Sequence, residues 1–201
     1  MRKLVFFLGG AGAGKTTLAK ALARRKGAAI FDMDTLLRPA AEAIMTASGL
    51  DPKDRDSELY KVRCRDLGYR ITMDAALENV AIGTDALVIG PFTKETADPL
   101  WIEQELSAIG ASLRDVAVRV VLVSLRDQEL HRSRIQERGL ELDEWKLSNW
   151  EDFSRSLGPR KLNWPIPAAS VLDFDNSGEL NEEKMLLLEH FVYGDDIAEG
   201  E

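Results

Sequence analysis

Residues 9–16 read Gly-Gly-Ala-Gly-Ala-Gly-Lys-Thr, which matches G-x-x-x-x-G-K-[ST] with Gly9, Gly14, Lys15 and Thr16 in the fixed places. The parts of this motif have separate physical tasks. Glycines permit positive φ and keep side chains away, so successive backbone N–H groups turn inward on a phosphate. The expected cradle runs through Gly9, Gly10, Ala11, Gly12, Ala13, Gly14, Lys15, Thr16 and Thr17. Lys15 is expected to reach the β- and γ-phosphates, and the Thr16 hydroxyl to be a ligand for Mg²⁺. The flanks agree with the motif. Leu4-Val5-Phe6-Phe7-Leu8 before it is an apolar run of the buried parallel-strand type. After it, Thr16–Leu22 opens a helix whose N-terminal dipole favours the same anion. Arg24, Arg25 and Lys26 fill the last turn of that helix and Gly27 stops it. A glycine-rich turn without a ligand would lack this strand–loop–helix context. The chain is expected to bind a nucleoside triphosphate.

Working outward, apolar runs at 4–8, 28–31, 86–89, 119–123 and 169–174 alternate with helical patterns. Strands separated by helices imply right-handed βαβ units and a parallel sheet covered on both faces. With 201 residues, 45% of them hydrophobic, and no linker or repeat, the expectation is a single domain over 1–201. Two intervals exceed a simple crossover. One, about 35–83, contains Pro39, Gly49-Leu50-Asp51-Pro52 and Gly68, and reads as two or three helices, one starting near Ser57 and another near Thr72. The other, about 126–167, holds Arg126, Arg132, Arg134, Arg138, Arg155 and Arg160 amid helical patterning. Both follow strands, so both stand over the carboxyl edge of the sheet where α/β ligands bind. The first is expected to hold a second substrate, the second to close as a lid.

The net charge of −8 and pI near 5.0 disfavour a general nucleic-acid binder. Cys64 is the only cysteine, which excludes an intrachain disulfide and favours a reducing compartment. No stretch approaches the length of a membrane span, and the expected location is the cytoplasm. Oligomeric state is left open.

Asp32 and Asp34 follow the second strand in Ile30-Phe31-Asp32-Met33-Asp34. In an extended segment residues i and i+2 share a face, so both carboxylates are expected to face the triphosphate. Phosphoryl transfer to a hydroxyl uses two such groups, one supporting Mg²⁺ and one orienting or deprotonating the attacking oxygen. The alternative is that they cap the next helix. Arg134 and Arg138 share one face of a helix running from about Gln128 to Gly139, whereas Arg132 points elsewhere. One of that pair is expected to supply a cation to the transferring phosphoryl, although Glu129, Glu137 and Glu141 lie near enough to pair with them. Lys61, Arg63, Arg65 and Arg70 stand in the first insertion among interleaved acids such as Asp54, Asp56 and Asp66 and read mostly as surface charges; the sequence does not say which of the arginines, if any, meets substrate. Trp101, Trp145, Trp150 and Trp164 read as packing residues, Cys64 as structural, and His131 and His190 as too isolated for a zinc site.

Gly9–Thr16, Asp32-Met33-Asp34, and Arg138-Gly139 followed by Asp143-Glu144-Trp145-Lys146-Leu147 together resemble a small P-loop kinase over nearly the whole chain. The likeness is to the bacterial predicted-kinase, AAA-type ATP-binding domains. These are similar in turn to shikimate and gluconate kinases, chloramphenicol phosphotransferase and polynucleotide 5′-kinases. The resemblance implies a three-layer P-loop NTPase fold with a five-stranded parallel sheet ordered 2-3-1-4-5 and a mobile helical lid. It also implies that Asp34 contacts the acceptor hydroxyl, that Asp32 supports magnesium through water, and that Asp175-Asn176-Ser177-Gly178 passes the adenine. Two positions depart from the pattern: Gly90 replaces the acid that often ends strand three, and Leu142 replaces a lid arginine before Asp143. The expected activity is transfer of the γ-phosphoryl of ATP, with Mg²⁺, to a hydroxyl of a small molecule. The alternatives are a nucleotide-dependent regulatory protein and, disfavoured by charge, a polynucleotide 5′-kinase.

Overall fold

A computed structural model describes residues 1–55, 57–140, 143–158 and 161–197. Asp56, Glu141, Leu142, Arg160 and the last four residues, with the expectations attached to them, lie outside the described residues. In chain order the elements are β1 (Arg2–Gly9), α1 (Lys15–Lys26), β2 (Ala29–Asp32), α2 (Met33–Ala47), α3 (Glu58–Tyr60), a π-helical turn (Lys61–Arg65), α4 (Asp66–Ala81) and β3 (Ala86–Ile89). There follow α5 (Trp101–Ser107), β4 (Val116–Ser124), α6 (Gln128–Glu137), α7 (Glu144–Ser148), α8 (Trp150–Ser154), β5 (Val171–Asp175) and α9 (Glu182–Ile197).

The five strands are parallel and ordered β2-β3-β1-β4-β5. In the register, Phe6 of β1 lies between Val88 of β3 and Val120 of β4. Why β1 is apolar at every position is visible in the layers. Leu4, Phe6 and Leu8 join one core with Tyr69, Met73 and Leu77 of α4 and Ile102 of α5. Val5 and Phe7 turn the other way, onto Leu18 and Leu22 of α1 and Met185 and Leu188 of α9. A strand packed on both faces must bury both of its alternating side-chain sets. Among the described residues, no helix is long and apolar enough to cross a membrane.

The first insertion differs from its sequence reading in one respect. Ser57 does cap a helix, its Oγ accepting the Tyr60 N–H at 3.1 Å. No helix begins at Thr72, however, because α3, the π turn and α4 run on as one rod through 58–81. Thr72 sits inside it, its hydroxyl donating to the Gly68 carbonyl at 2.7 Å. Pro39 is likewise inside α2, so of the three suspected breaks only the one at Gly49–Pro52 separates helices. Gly68 serves packing: a Cβ there would lie 2.7 Å from Leu37 Cδ2 and 3.3 Å from Leu37 Cβ, so its absence lets α4 sit down on α2. Gly68→Ala should therefore destabilise the protein. Overpacking costs about 1–3 kcal/mol, against about 1 kcal/mol gained in helix propensity. Thermal unfolding checks this, and a raised midpoint would show that Leu37 yields freely.

Candidate active site

The loop between β1 and α1 wraps the start of α1. Gly14 holds φ +92 as its cap, and a Cβ there would fall on the Asn176 side chain, so only glycine fits. Lys15 Nζ donates to the carbonyls of Gly9 (3.0 Å) and Gly10 (2.8 Å). Gly9, Gly10, Ala11, Gly12, Gly14, Lys15, Thr16 and Thr17 line a cleft of about 660 Å³. Ala13 does not. Its side chain is buried in the core beneath the loop, and its carbonyl accepts from Asn176 Nδ2 at 2.8 Å. Asn176, buried at the end of β5, thus braces the loop from the far side. Its residue type alone did not announce this. The only signal was its place in the loop after the last strand.

The two aspartates are not successive residues on one strand face. Asp32 ends β2 and caps α2, its Oδ1 accepting the N–H groups of Asp34 (3.1 Å) and Thr35 (3.4 Å). The helix begins at once because an N-cap carboxylate satisfies these otherwise orphaned donors. Asp34 therefore lies exposed in the first turn of α2 rather than on a strand. Even so, both line the cleft. The second oxygen of Asp32 accepts the Thr16 hydroxyl at 2.8 Å, so capping and contact with the loop coexist in one side chain. A hydroxyl and a carboxylate, without sulfur or imidazole beside them, suit a hard cation such as Mg²⁺. Among the described residues no group of three or more His, Cys, Asp or Glu is placed to hold a metal alone.

Gly90 directly follows β3, at the place where an acid often stands. The Phe92 ring occupies that space: a Cβ on Gly90 would lie 2.8 Å from Phe92 Cε2. Phe92 itself is fully buried at φ +42, packed on Phe6 and Tyr69.

From the other side α6 leans over the loop. His131 is buried, and its Nδ1 bonds the Ala11 carbonyl at 2.9 Å; a carbonyl only accepts, so the proton resides on Nδ1. Arg134 Nη2 donates to the Ser177 carbonyl at 3.3 Å, and the side chain lines the cleft. Arg132 points away, over the Trp150 ring. Arg138 also lines the cleft, but it is committed: Nε and Nη2 both donate to Asp143, the latter at 2.6 Å, while Lys146 Nζ donates at 2.8 Å. Asp143 is 1% exposed. Burial pushes its carboxyl upward, but the bonds from Arg138 and Lys146 outweigh this and hold it below the ordinary carboxylate value. The partner of Arg138 is thus Asp143 rather than Glu129 or Glu137.

These differences separate the two arginines. Arg134→Ala should lower kcat by about 10–10²-fold, the scale of one hydrogen bond to a charged group, with ATP affinity changed less. Arg138→Ala should lower stability as well, because it leaves a buried carboxylate with one partner fewer. Steady-state kinetics and thermal midpoints of both variants check this. Equal kinetic and stability losses in the two would refute the distinction.

A second cavity, of about 380 Å³, adjoins the first, and Asp34, Pro91, Arg138 and Lys146 line both. Of the three insertion arginines only Arg65 reaches it, donating to Thr93 Oγ1 at 2.9 Å. Arg63 bonds Ser48 on the surface, and Arg70 is held by Glu105 and Asp74. Trp101 and Trp164 stack in the core, but Trp145 is 48% exposed and does not pack there. Cys64 is buried against α2 with Leu37, Ala41 and Met45, and burial pushes its thiol upward, as suits a structural residue.

A glycine loop that opens a helix at the carboxyl edge of a 2-3-1-4-5 parallel sheet defines a P-loop NTPase fold. Residues 4–159 match the AAA-domain family, and the chain belongs to that family. No curated protein shows significant similarity to the sequence. Among solved structures, a sugar kinase from Janibacter sp. aligns with TM-score 0.58 at 16% identity, over 95% of this chain and 94% of its own. A gluconokinase from Sinorhizobium meliloti aligns with TM-score 0.54 at 13% identity, over 100% of both chains. The APS kinase of Mycobacterium tuberculosis aligns with TM-score 0.55 at 16% identity, over 94% of this chain and 96% of its own. At these identities the likeness is one of fold.

Proposed function

We propose that this chain is an ATP-dependent phosphotransferase which moves the γ-phosphoryl group to a hydroxyl of a small molecule. The observation that carries the reading is the shared wall between the two cavities. The phosphate-cradling cleft opens onto a second pocket with the Asp34 carboxylate between them. A carboxylate between a phosphate cleft and a second pocket is placed where an acceptor hydroxyl would need one. The kinases of similar fold support the reading.

In this reading the backbone amides of residues 9–17 and Lys15 hold the phosphates. Thr16, with Asp32 bonded to its hydroxyl, would hold Mg²⁺, which would supply neutralisation of the phosphate charge. Asp34 orients the acceptor hydroxyl and takes its proton as the new O–P bond forms and the bond to the ADP oxygen breaks. Arg134 meets charge on the transferring group. The segment that carries α6, α7 and α8 closes over the site and excludes water, which would otherwise compete as acceptor. Asn176 and Gly178, which line the cleft beside the loop, mark the adenine end. The acceptor is a small molecule rather than a nucleic acid, and the single cysteine fits a cytoplasmic enzyme.

ADP release with and without pools of hydroxylated small molecules tests this. Acceptor-stimulated turnover well above basal hydrolysis is expected, and its absence with every pool would favour a regulatory nucleotide-binding protein. Asp32→Asn gives a second check. It should raise the Mg²⁺ concentration needed for half-maximal activity by about 10–100-fold, the scale for a residue that orients a metal ligand. An unchanged Mg²⁺ titration would return Asp32 to helix capping alone.

A further inference from the structure

We propose that His131 and Asn176 are positioning residues for the phosphates: each holds one carbonyl of the loop outward and thereby turns the next N–H toward the nucleotide. This rests on the phosphate-binding part of the reading above and adds two residues to it, neither of which belongs to the glycine-loop motif.

A glycine loop does not orient its own amides. Gly12 and Gly14 hold φ +76 and +92, the left-handed conformation that, in alternation with ordinary residues, gathers N–H groups into one concavity. Glycine adopts either sign of φ at little cost, however, so the peptide unit ahead of it can turn over. The N–H then points away and a carbonyl oxygen faces the phosphate, with repulsion in place of a hydrogen bond. A contact from outside the loop is needed to select one orientation.

The carbonyl of Ala11 and the N–H of Gly12 belong to one planar trans peptide and point opposite ways. The same holds for Ala13 and Gly14. Fixing the oxygen therefore fixes the N–H. His131 Nδ1, from α6, donates to the Ala11 oxygen at 2.9 Å, and Asn176 Nδ2, after β5, donates to the Ala13 oxygen at 2.8 Å. Gly12 and Gly14 thus each have the peptide ahead of them held by a side chain, 120 and 163 positions away from the carbonyl it bonds.

Both side chains are built into the protein for this contact. His131 is 5% exposed and Asn176 6%. Burying an imidazole or an amide is unfavourable unless hydrogen bonds compensate, and here those bonds go to the loop. A purely packing role would be met by an apolar side chain in either place. The glycines complete the fit. A Cβ on Gly12 would lie 2.9 Å from Ile135 Cγ1 and 3.2 Å from the His131 carbonyl oxygen, and one on Gly14 would strike Asn176 Nδ2. Their bareness lets α6 and the segment after β5 approach closely enough to grip the backbone.

The test follows the amide protons of Gly12 and Gly14 by NMR as tripolyphosphate or ADP is added, with affinities from calorimetry. In the unaltered protein both signals should move downfield, as amides do on bonding an anion. His131→Phe keeps a ring but removes the donor. It should weaken both ligands about tenfold, the scale of one hydrogen bond, and cancel the shift at Gly12 while sparing that at Gly14. Asn176→Leu should do the converse. His131→Asn should restore most of the affinity, because its amide nitrogen, like Nδ1, is attached to Cγ; His131→Gln, with its nitrogen one bond further out, should not. Losses that track the thermal midpoint, with both amides disturbed together and Asn no better than Gln, would overturn the inference. Unaltered affinity in both His131→Phe and Asn176→Leu would do the same. Amide-specific effects without acceptor-stimulated ADP release would uphold the inference and sink the transfer reading. Acceptor-stimulated release with unaltered phosphate affinity in both variants would do the reverse, and failure of the unaltered protein to bind either ligand would overturn both.

Discussion

Lys15→Met is expected to abolish phosphoryl transfer, by at least about 10³-fold, while the protein still folds. Methionine keeps an unbranched stem of similar length but has neither charge nor donors. What disappears is the motif's own cation, at the point where charge accumulates on the β- and γ-oxygens. The fold should tolerate the change because Lys15 lines the cleft, where its Nζ bonds the loop carbonyls of Gly9 and Gly10. Rates of acceptor phosphorylation, nucleotide affinity and the thermal midpoint should be measured together. Affinity should fall and the midpoint should hold; near-normal turnover would remove this loop as the active site.

Asp34→Asn should reduce transfer to the acceptor by about 10²–10⁴-fold, the usual contribution of a positioned general base. Asparagine keeps the shape and one acceptor oxygen but cannot take the acceptor proton. ATP·Mg²⁺ binding should barely change, because Asp32, not Asp34, contacts Thr16. Stability should also change little. Asp34 is exposed, and an acid in a first helical turn contributes only about 0.3–1 kcal/mol through the helix dipole. Comparing this variant with Asp32→Asn in the same assays separates the two roles. Full activity in Asp34→Asn would mean that the carboxylate at the junction of the cavities takes no part in the chemistry.

Much of this was legible in the chain itself. The eight residues from Gly9 to Thr16 determine a phosphate cradle, because the glycine spacing, the lysine and the hydroxyl follow from local backbone geometry. The run Leu4–Leu8 determines a strand buried on both faces, since only such a strand is apolar at both parities. Alternation of such runs with helical patterns determines the parallel class, and the resemblance to small kinases supplies the 2-3-1-4-5 order that is observed. What stayed hidden depends on contacts between segments distant in sequence. Gly68 read as a break, because its missing Cβ makes sense only against Leu37 on another helix. Arg134 and Arg138 looked equivalent on one helix face until Asp143 folded beneath one of them. Arg63, Arg65 and Arg70 were indistinguishable by composition, and only the packing of α4 against the loop after β3 turns Arg65 alone toward the second cavity. Local pattern determines which elements form and which chemistry the loop carries. Which charges remain uncompensated is decided by tertiary structure, because a side chain's partner is set by what packs across from it and not by its neighbours along the chain.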